Sequence, residues 1–316
     1  MKDYTRINTS SLLTPDSLPF AQPGRFYRGN LHGHSTNSDG RWTPAEYIRQ
    51  YRQNGYDFVA LTDHCTEDHG FDISDTREFR DDEFTTLIGA ELHPGQIESG
   101  SAWHLLAVGL PLDFETRREG DSGASVARRA MEAGAFVAAT HPNWYAFTVA
   151  DFESLDAADA VECYNGAADS ASDRGYSWHF IDLLLHRGHR VGAIAVDDVH
   201  AGDESLGDFM RGWVYVKTES LEPEALLRAL KAGHYYSSTG AQIHNVEFQG
   251  RDKLLVECSP ARQILVTGEN AGALRISGGG LRGAEFDLSE VESRWLRVTV
   301  RDEAGGRAWT NPVWLG

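Results

Sequence analysis

Eight short apolar runs alternate with amphipathic stretches through the first 240 residues, at 26–31, 58–62, 86–91, 104–109, 136–140, 160–164, 190–196 and 213–216. This alternation constrains the fold more than any other feature, because repeated strand–helix units favour a parallel sheet, open or closed into a barrel. The helical stretches carry their own end signals. Thr43 followed by Pro44 opens the stretch 44–54, an N-cap with proline at the first helical position. Stretches 125–133, 178–187 and 223–232 each run into a glycine, Gly134, Gly188 and Gly233, that can end a helix in the left-handed conformation.

After Gly240 the pattern changes. Residues 243–249, 253–258, 263–267, 274–277, 284–288 and 295–301 read as strands, Gly278 to Gly280 as a turn, and no helical stretch remains. Three parts are therefore expected: an irregular lead-in at 1–25, an α/β domain at 26–240, and a small antiparallel, sandwich-like β domain at 241–316.

Composition narrows the function. The chain has 316 residues, 41% hydrophobic and 24% charged, as in an ordinary soluble protein. No apolar run approaches the roughly 18 residues of a membrane span, and the first twenty residues lack the basic-then-apolar layout of a secretory signal. Forty-seven acidic against twenty-nine basic residues leave a net charge of −18 without a Lys/Arg cluster. General binding to nucleic acid or an anionic membrane is thus not expected. The three cysteines, Cys65, Cys163 and Cys258, are scattered. Neither a disulfide framework nor a thiolate zinc site is expected, and a cytoplasmic location fits best.

The chemistry sits at the ends of the apolar runs. The first closes in His32-Gly33-His34, whose imidazoles share a face if the strand continues, and Ser38-Asp39-Gly40 adds a carboxylate in a turn. The second runs into Asp63-His64, the third ends in Glu91 with His93 two residues on, and the fifth runs into His141-Pro142. The seventh runs into Asp197-Asp198-Val199-His200, while His104 stands at the start of its run. Charged groups at buried strand ends are costly unless paired or metal-bound. In parallel α/β folds these ends converge, so the set predicts one site of mixed His and carboxylate donors, suited to Zn, Mn or Fe. Among residues beside these motifs, Asp63 and Asp197 either orient imidazoles or cap the following loops. His93, Asn143, Trp144, Tyr164 and Asn165 are candidates to line the pocket or support it. Arg174 and Arg190 could each hold a phosphate or pair at the surface. There is no GxSxG, no P-loop, and no GxGxxG after a strand.

The ordered set His32-Gly-His34, Ser38-Asp39-Gly40, Asp63-His64, Glu91, His104, Thr140-His141-Pro142 and Asp198-Val-His200 resembles the PHP (polymerase and histidinol phosphatase) metallohydrolases over about residues 26–240. The resemblance implies a distorted (β/α)7 TIM-like barrel with a trinuclear metal centre at its strand ends. It assigns His32, His34, Glu91 and Asp198 to one ion, and Glu91, His104 and His141 to a second, with Glu91 bridging. Asp39, His64 and His200 fall to a third. The stretch 161–165 and the β tail resemble the CehA/McbA-like subgroup, labelled after carbamate-hydrolysing members.

These readings together predict a hydrolase with two to three divalent ions (Zn, Mn or Fe), acting on a small phosphate ester or nucleotide through a metal-bridging hydroxide. Glu91, Asp198 and His200 are its expected catalytic residues. The alternatives are hydrolysis of a carboxylic or carbamate ester and, in a different class, a non-catalytic metal-stabilised binding module.

Overall fold

The structure, a computed structural model, describes residues 14–201, 207–270 and 272–315. It is a mixed α/β architecture built around one large sheet. Ten strands precede Gly240: β1 (Arg25–Asn30), β2 (Phe58–Leu61), β3 (His64–Cys65), β4 (Thr85–Leu92), β5 (Leu105–Val108), β6 (Phe136–Ala139), β7 (Ala160–Asn165), β8 (Gly192–Val196), β9 (Trp213–Thr218) and β10 (Tyr235–Ser238). Six follow it: β11 (Ile243–Gln249), β12 (Lys253–Thr267), β13 (Ala273–Asp287), β14 (Trp295–Arg301), β15 (Arg307–Thr310) and β16 (Val313–Trp314). The helices are α1 (Pro44–Gln53), α2 (Gly123–Glu132), α3 (Val149–Leu155), α4 (Gly166–Ser172), α5 (Trp178–His186) and α6 (Pro223–Lys231).

Local chemistry accounts for the helix ends. The Thr43 hydroxyl accepts the Glu46 N–H at the start of α1, and Ser122 and Ser125 cap α2 reciprocally. Sequence signals place α1, α2, α5 and α6 within two residues of their observed ends. They do not reveal α3 and α4, seven residues each and too short for a clear helical period.

The sheet order is β11-β12-β14-β15-β10-β9-β1-β2-β4-β5-β6-β7-β8. A wholly parallel sheet is not what forms. Strands β1, β2 and β4 are parallel, as are β6, β7 and β8, but β5 runs antiparallel to both its neighbours. Strand β9 is antiparallel to β1 and to β10. The reversal of β5 follows from its connections, since no helix intervenes between β4 and β5 to carry the chain back across the sheet.

Alternate residues of these strands enter different cores. Phe58, Ala60, Leu106, Val108, Phe136, Ala138, Ile194 and Val196 join one cluster with Leu226 and Leu230 of α6. Leu105, Ala107, Val137, Ala139, Val161, Ala193 and Ala195 join another with α2, α3 and α5. Both faces are covered, which is why the strands read as unbroken apolar runs.

Strand β8 ends the path, so its outer backbone groups need partners from elsewhere. Side chains supply them. Asn311 Oδ1 accepts the Ala193 N–H (2.8 Å), and Ser237 Oγ accepts from Ala195 N (2.9 Å) while donating to Ala193 O (2.8 Å). The approach is close: a Cβ at Gly192 would lie 2.1 Å from Tyr235 Oη. Just past β8 the chain meets the end of β1. The Asp198 N–H donates to His32 O (3.0 Å), and the His34 N–H donates to Val199 O (2.9 Å).

The C-terminal strands are antiparallel, yet they continue the main sheet through the β10–β15 pairing. Strands β12 and β13 are single fifteen-residue strands where the sequence suggests two each, with irregular register around Ala261. Gly278 to Gly280 lie inside β13 and not in a turn. Trp295, Trp309 and Trp314 pack into the α5 side of the core, and Arg297 pairs with Asp182 of α5 (3.0 Å). No helix among the described residues is long and apolar enough to cross a membrane.

Asn311 is buried, and it also donates to Gly233 O and Tyr235 O. Asn311→Ala leaves the Ala193 N–H and two carbonyls without these partners. It should destabilise the chain by about 2–4 kcal/mol, measurable as a lower midpoint of urea unfolding. An unchanged midpoint would show that the C-terminal strands do not clamp β8.

Candidate metal centre

One edge of the sheet gathers nearly every chemistry-bearing residue singled out above. Strands β1, β2, β4, β6 and β8 deliver His32, His34, His64, Glu91, His141, Asp198 and His200 at or just past their C-terminal ends. His104 precedes β5, and because β5 is reversed its start lies beside the ends of β4 and β6. The exception noted in the sequence thus becomes part of the rule.

Glu91 is the centre. Fully buried, it faces five imidazoles. Its Oε1 lies 2.8 Å from His104 Nδ1 and 3.3 Å from His141 Nε2. Its Oε2 lies 2.8 Å from His64 Nδ1, 3.4 Å from His32 Nε2 and 3.6 Å from His34 Nε2. Asp198 Oδ1 stands 2.9 Å from His34 Nε2 and 3.3 Å from His32 Nε2. Asp39, at 42% side-chain exposure the open member, faces His200 Nε2 (3.5 Å), His64 Nε2 (3.6 Å) and His34 Nδ1 (4.0 Å). Four overlapping groups have ligand atoms within 4.8 Å of one another: His34, Asp39, His64 and His200; His32, His34 and Glu91; His64, Glu91 and His93; Glu91, His104 and His141. His34 therefore sits between two groups, where the resemblance gives it to one.

The donors fit divalent cations. His32 Nε2, Glu91 Oε2 and His141 Nδ1 are buried without a hydrogen-bond partner. The 2.8 Å approach of His64 Nδ1 to Glu91 Oε2 is therefore an ion contact without hydrogen-bond geometry. Buried polar atoms are rarely left so, and His32 Nε2 and Glu91 Oε2, 3.4 Å apart, are donors of the N and O type that a borderline-soft cation takes. Without a cation the cluster holds itself together by protons. Burial alone would raise Glu91, but the imidazoles of His104, His64 and His32 hold it well below the usual carboxylate range. Asp198 is likewise lowered against its burial, by His32, His34 and His200. Burial opposes the charged form of His64, yet Glu91 and Asp39 push it up to about 10. His34, deeply buried beside the His64 and His200 rings, falls to about 3.

Of the supporting candidates, Asp63 and Asp197 cap loops and, among the described residues, make no hydrogen bond to an imidazole. Asp63 accepts from Ser35, Ser38 and Ser74. Asp197 accepts from Tyr51 Oη and the N–H groups of Met210, Arg211 and Gly212. His93 meets the cluster, its Nε2 2.8 Å from His64 Nδ1. Asn165 and Tyr164 are buried; the first contacts Asp198, and the second donates to Asp169. Asn143 is tied to Tyr176 O, and exposed Arg174 to Trp144 O. Arg190 lies over the Trp314 ring. His200 Nδ1 is 2.8 Å from Asp198 O, which leaves Nε2 to face Asp39.

Two residues carry no signal of their role in the motifs above. Tyr145 stacks on His104, centroids 4.5 Å apart, with burial and the Glu91, Asp198 and Asp39 carboxylates raising its phenol pKa. Glu162, fully buried in β7, lies 2.7 Å from His32 Nδ1. Tyr145 lies four residues past His141, a proximity that could have marked it.

No protein-family model matches the chain, and no curated protein matches it. Solved structures do. The fold is shared with a two-domain protein from Bacteroides vulgatus ATCC 8482 described as containing a predicted PHP-like metal-dependent phosphoesterase. The TM-score is 0.52 at 14% identity, covering 92% of this chain and 97% of that one. At this identity the likeness is one of fold. A candidate metal-dependent phosphoesterase from Bifidobacterium adolescentis matches at a TM-score of 0.44 and 15% identity, over 64% of this chain and 94% of that one.

His64 and His32, raised by their carboxylates, carry protons at neutral pH that a cation must displace. Zn or Mn binding to chelator-treated protein should therefore release protons and strengthen as pH rises from 6 toward 9. It should also raise the melting temperature, by the equivalent of about 2.7 kcal/mol at a hundredfold excess over Kd. Calorimetry in buffers of different ionisation enthalpy checks the first point and thermal melts the second. No heat and no thermal shift would remove the metal reading.

Proposed function

We propose that this chain is a metal-dependent hydrolase, a phosphoesterase acting on a small phosphate ester or a nucleotide. The observation that carries the reading is the buried Glu91 carboxylate facing five imidazoles at the gathered strand ends. The fold neighbour described as containing a PHP-like metal-dependent phosphoesterase supports it. We read residues 26–240 as a distorted barrel, with the β1–β8 contacts closing it at the site end, and 241–316 as an appended β domain.

In this reading His32, His34, Glu91 and Asp198 hold one divalent ion, Glu91, His104 and His141 a second, and Asp39, His64 and His200 a third. Such ions supply Lewis acidity, a water of lowered pKa, and positive charge opposite a phosphate. The charge matters here, because Asp39, Glu91 and Asp198 in an acidic chain would otherwise repel an anionic ester. Glu91 spans two donor groups through its two oxygens. The Tyr145 ring covers His104 and His141 and shields that side from water. Asp39 and His200 stand at the open side, where an ester can enter.

Turnover across aryl phosphates, nucleotides and aryl carbamates tests the substrate class; cleavage of carbamates alone would move the reading to carboxyl esters. Glu91→Gln keeps the shape and removes the shared charge, so kcat should fall about a hundredfold or more. Asp39→Asn, at the open edge and not among Glu91's neighbours, should cost less on an aryl phosphate with a good leaving group. Full activity of Glu91→Gln with metal still bound would end the shared-carboxylate reading.

A further inference from the structure

We infer that Glu162, with Asn165, is a positioning pair that presents His32, His141 and Asp198 to the metal centre. This rests on the reading of that centre as metal-binding. Strand β7 lies between β6 and β8 and supplies none of the nine candidate ligands. It supplies a bracket behind them.

Glu162 has no exposure to solvent. A carboxylate placed there demands donors, and it has three. Its Oε1 is 2.7 Å from His32 Nδ1, and its Oε2 accepts the His141 backbone N–H (2.6 Å) and Asn165 Nδ2 (2.9 Å). The Asn165 amide also donates to Asp198 Oδ2 (3.0 Å), and its Oδ1 accepts the Ala168 N–H at the start of α4. One connected network thus reaches ligands from the ends of β1, β6 and β8 and is anchored on a helix.

The geometry has two consequences. First, when the His32 imidazole is neutral, as a metal ligand must be, donation of Nδ1–H to Glu162 leaves its lone pair on Nε2. That atom is buried, lacks a hydrogen-bond partner, and points at Glu91 and Asp198. A carboxylate behind a ligating imidazole fixes its tautomer and its ring orientation. Second, His141 (φ 24°) and Asp198 (φ 56°) both have left-handed backbone, which non-glycine residues adopt only when their surroundings hold them. The bracket grips both, one by its N–H and the other by its carboxylate. It does not touch Asp39, His64 or His200, so its effect should be confined to the groups containing His32 and His141.

Glu162→Gln tests this. The amide keeps the size, but its NH2 facing His32 Nδ1 would favour a proton on Nε2, where the cation must sit. Metal-free wild type and variant would be titrated with Zn²⁺ against a chromophoric chelator, with thermal melts of both metal-free proteins. The expected result is about a tenfold to hundredfold weaker affinity for the ions at the His32 and His141 groups. Remaining zinc should bind as in wild type, and the metal-free melts should stay close. Equal zinc affinities would overturn the proposal, as would a weakening spread evenly over all ions. Wild type that binds no zinc would instead overturn the metal reading, and this inference with it. If Glu162→Gln does not fold, wild type loaded with zinc and 15N-labelled at histidine decides. An imidazole Nδ1–H held against a buried carboxylate should appear far downfield and exchange slowly, and its absence sinks the proposal.

Discussion

A fully buried carboxylate surrounded by imidazoles is the constraint on which the rest of this protein depends. Glu91 could not remain ionised at zero exposure without compensating charge, and the cluster offers it two kinds. In the metal-free state protons on neighbouring imidazoles supply it, which is why His64 is pushed up to about 10 while Glu91 is driven down. With cations bound, the same lone pairs turn to metal. The two states compete for the same nitrogen atoms, so the site is coherent without metal and still built to take it.

Holding nine candidate ligands from six segments in one place is a problem of strand ends. Parallel strands solve most of it, since their C-terminal ends collect on one side. His104 required a different solution. It precedes β5, and only the reversal of that strand brings it to Glu91. The costs are visible nearby. His141 and Asp198 take left-handed backbone, and buried polar side chains from β7 grip both.

The last strand of the sheet path needs help from the far end of the chain. Among the described residues β8 ends the sheet path, so Ser237 and Asn311 satisfy its backbone, and Trp295, Trp309 and Trp314 join the core cluster that it shares with α5. The C-terminal strands are thus structurally continuous with the part that carries the site, through the β10–β15 pairing. That continuity is not legible in the sequence: antiparallel strands after a glycine look the same whether they pair among themselves or extend an existing sheet.

What the sequence determined by itself was the local part of this design. Apolar runs ending in His, Asp or Glu identify strands and the residues at their ends, because a charged group at a buried terminus needs a reason to be there. Thus His32, His34, His64, Glu91, His141, Asp198 and His200 stand out from the pattern of the chain alone. Glu162 does not, although it is as buried as any of them. It sits inside an apolar strand 130 residues from His32, and nothing within that run shows which side chain lies opposite. Asp63 and Asp197 illustrate the same limit. Their positions beside ligands fit two roles, and only the fold aims them at loops. Strand ends are set by short-range chemistry, whereas the partner of a buried group is set by which strands become neighbours, and that only the tertiary structure decided.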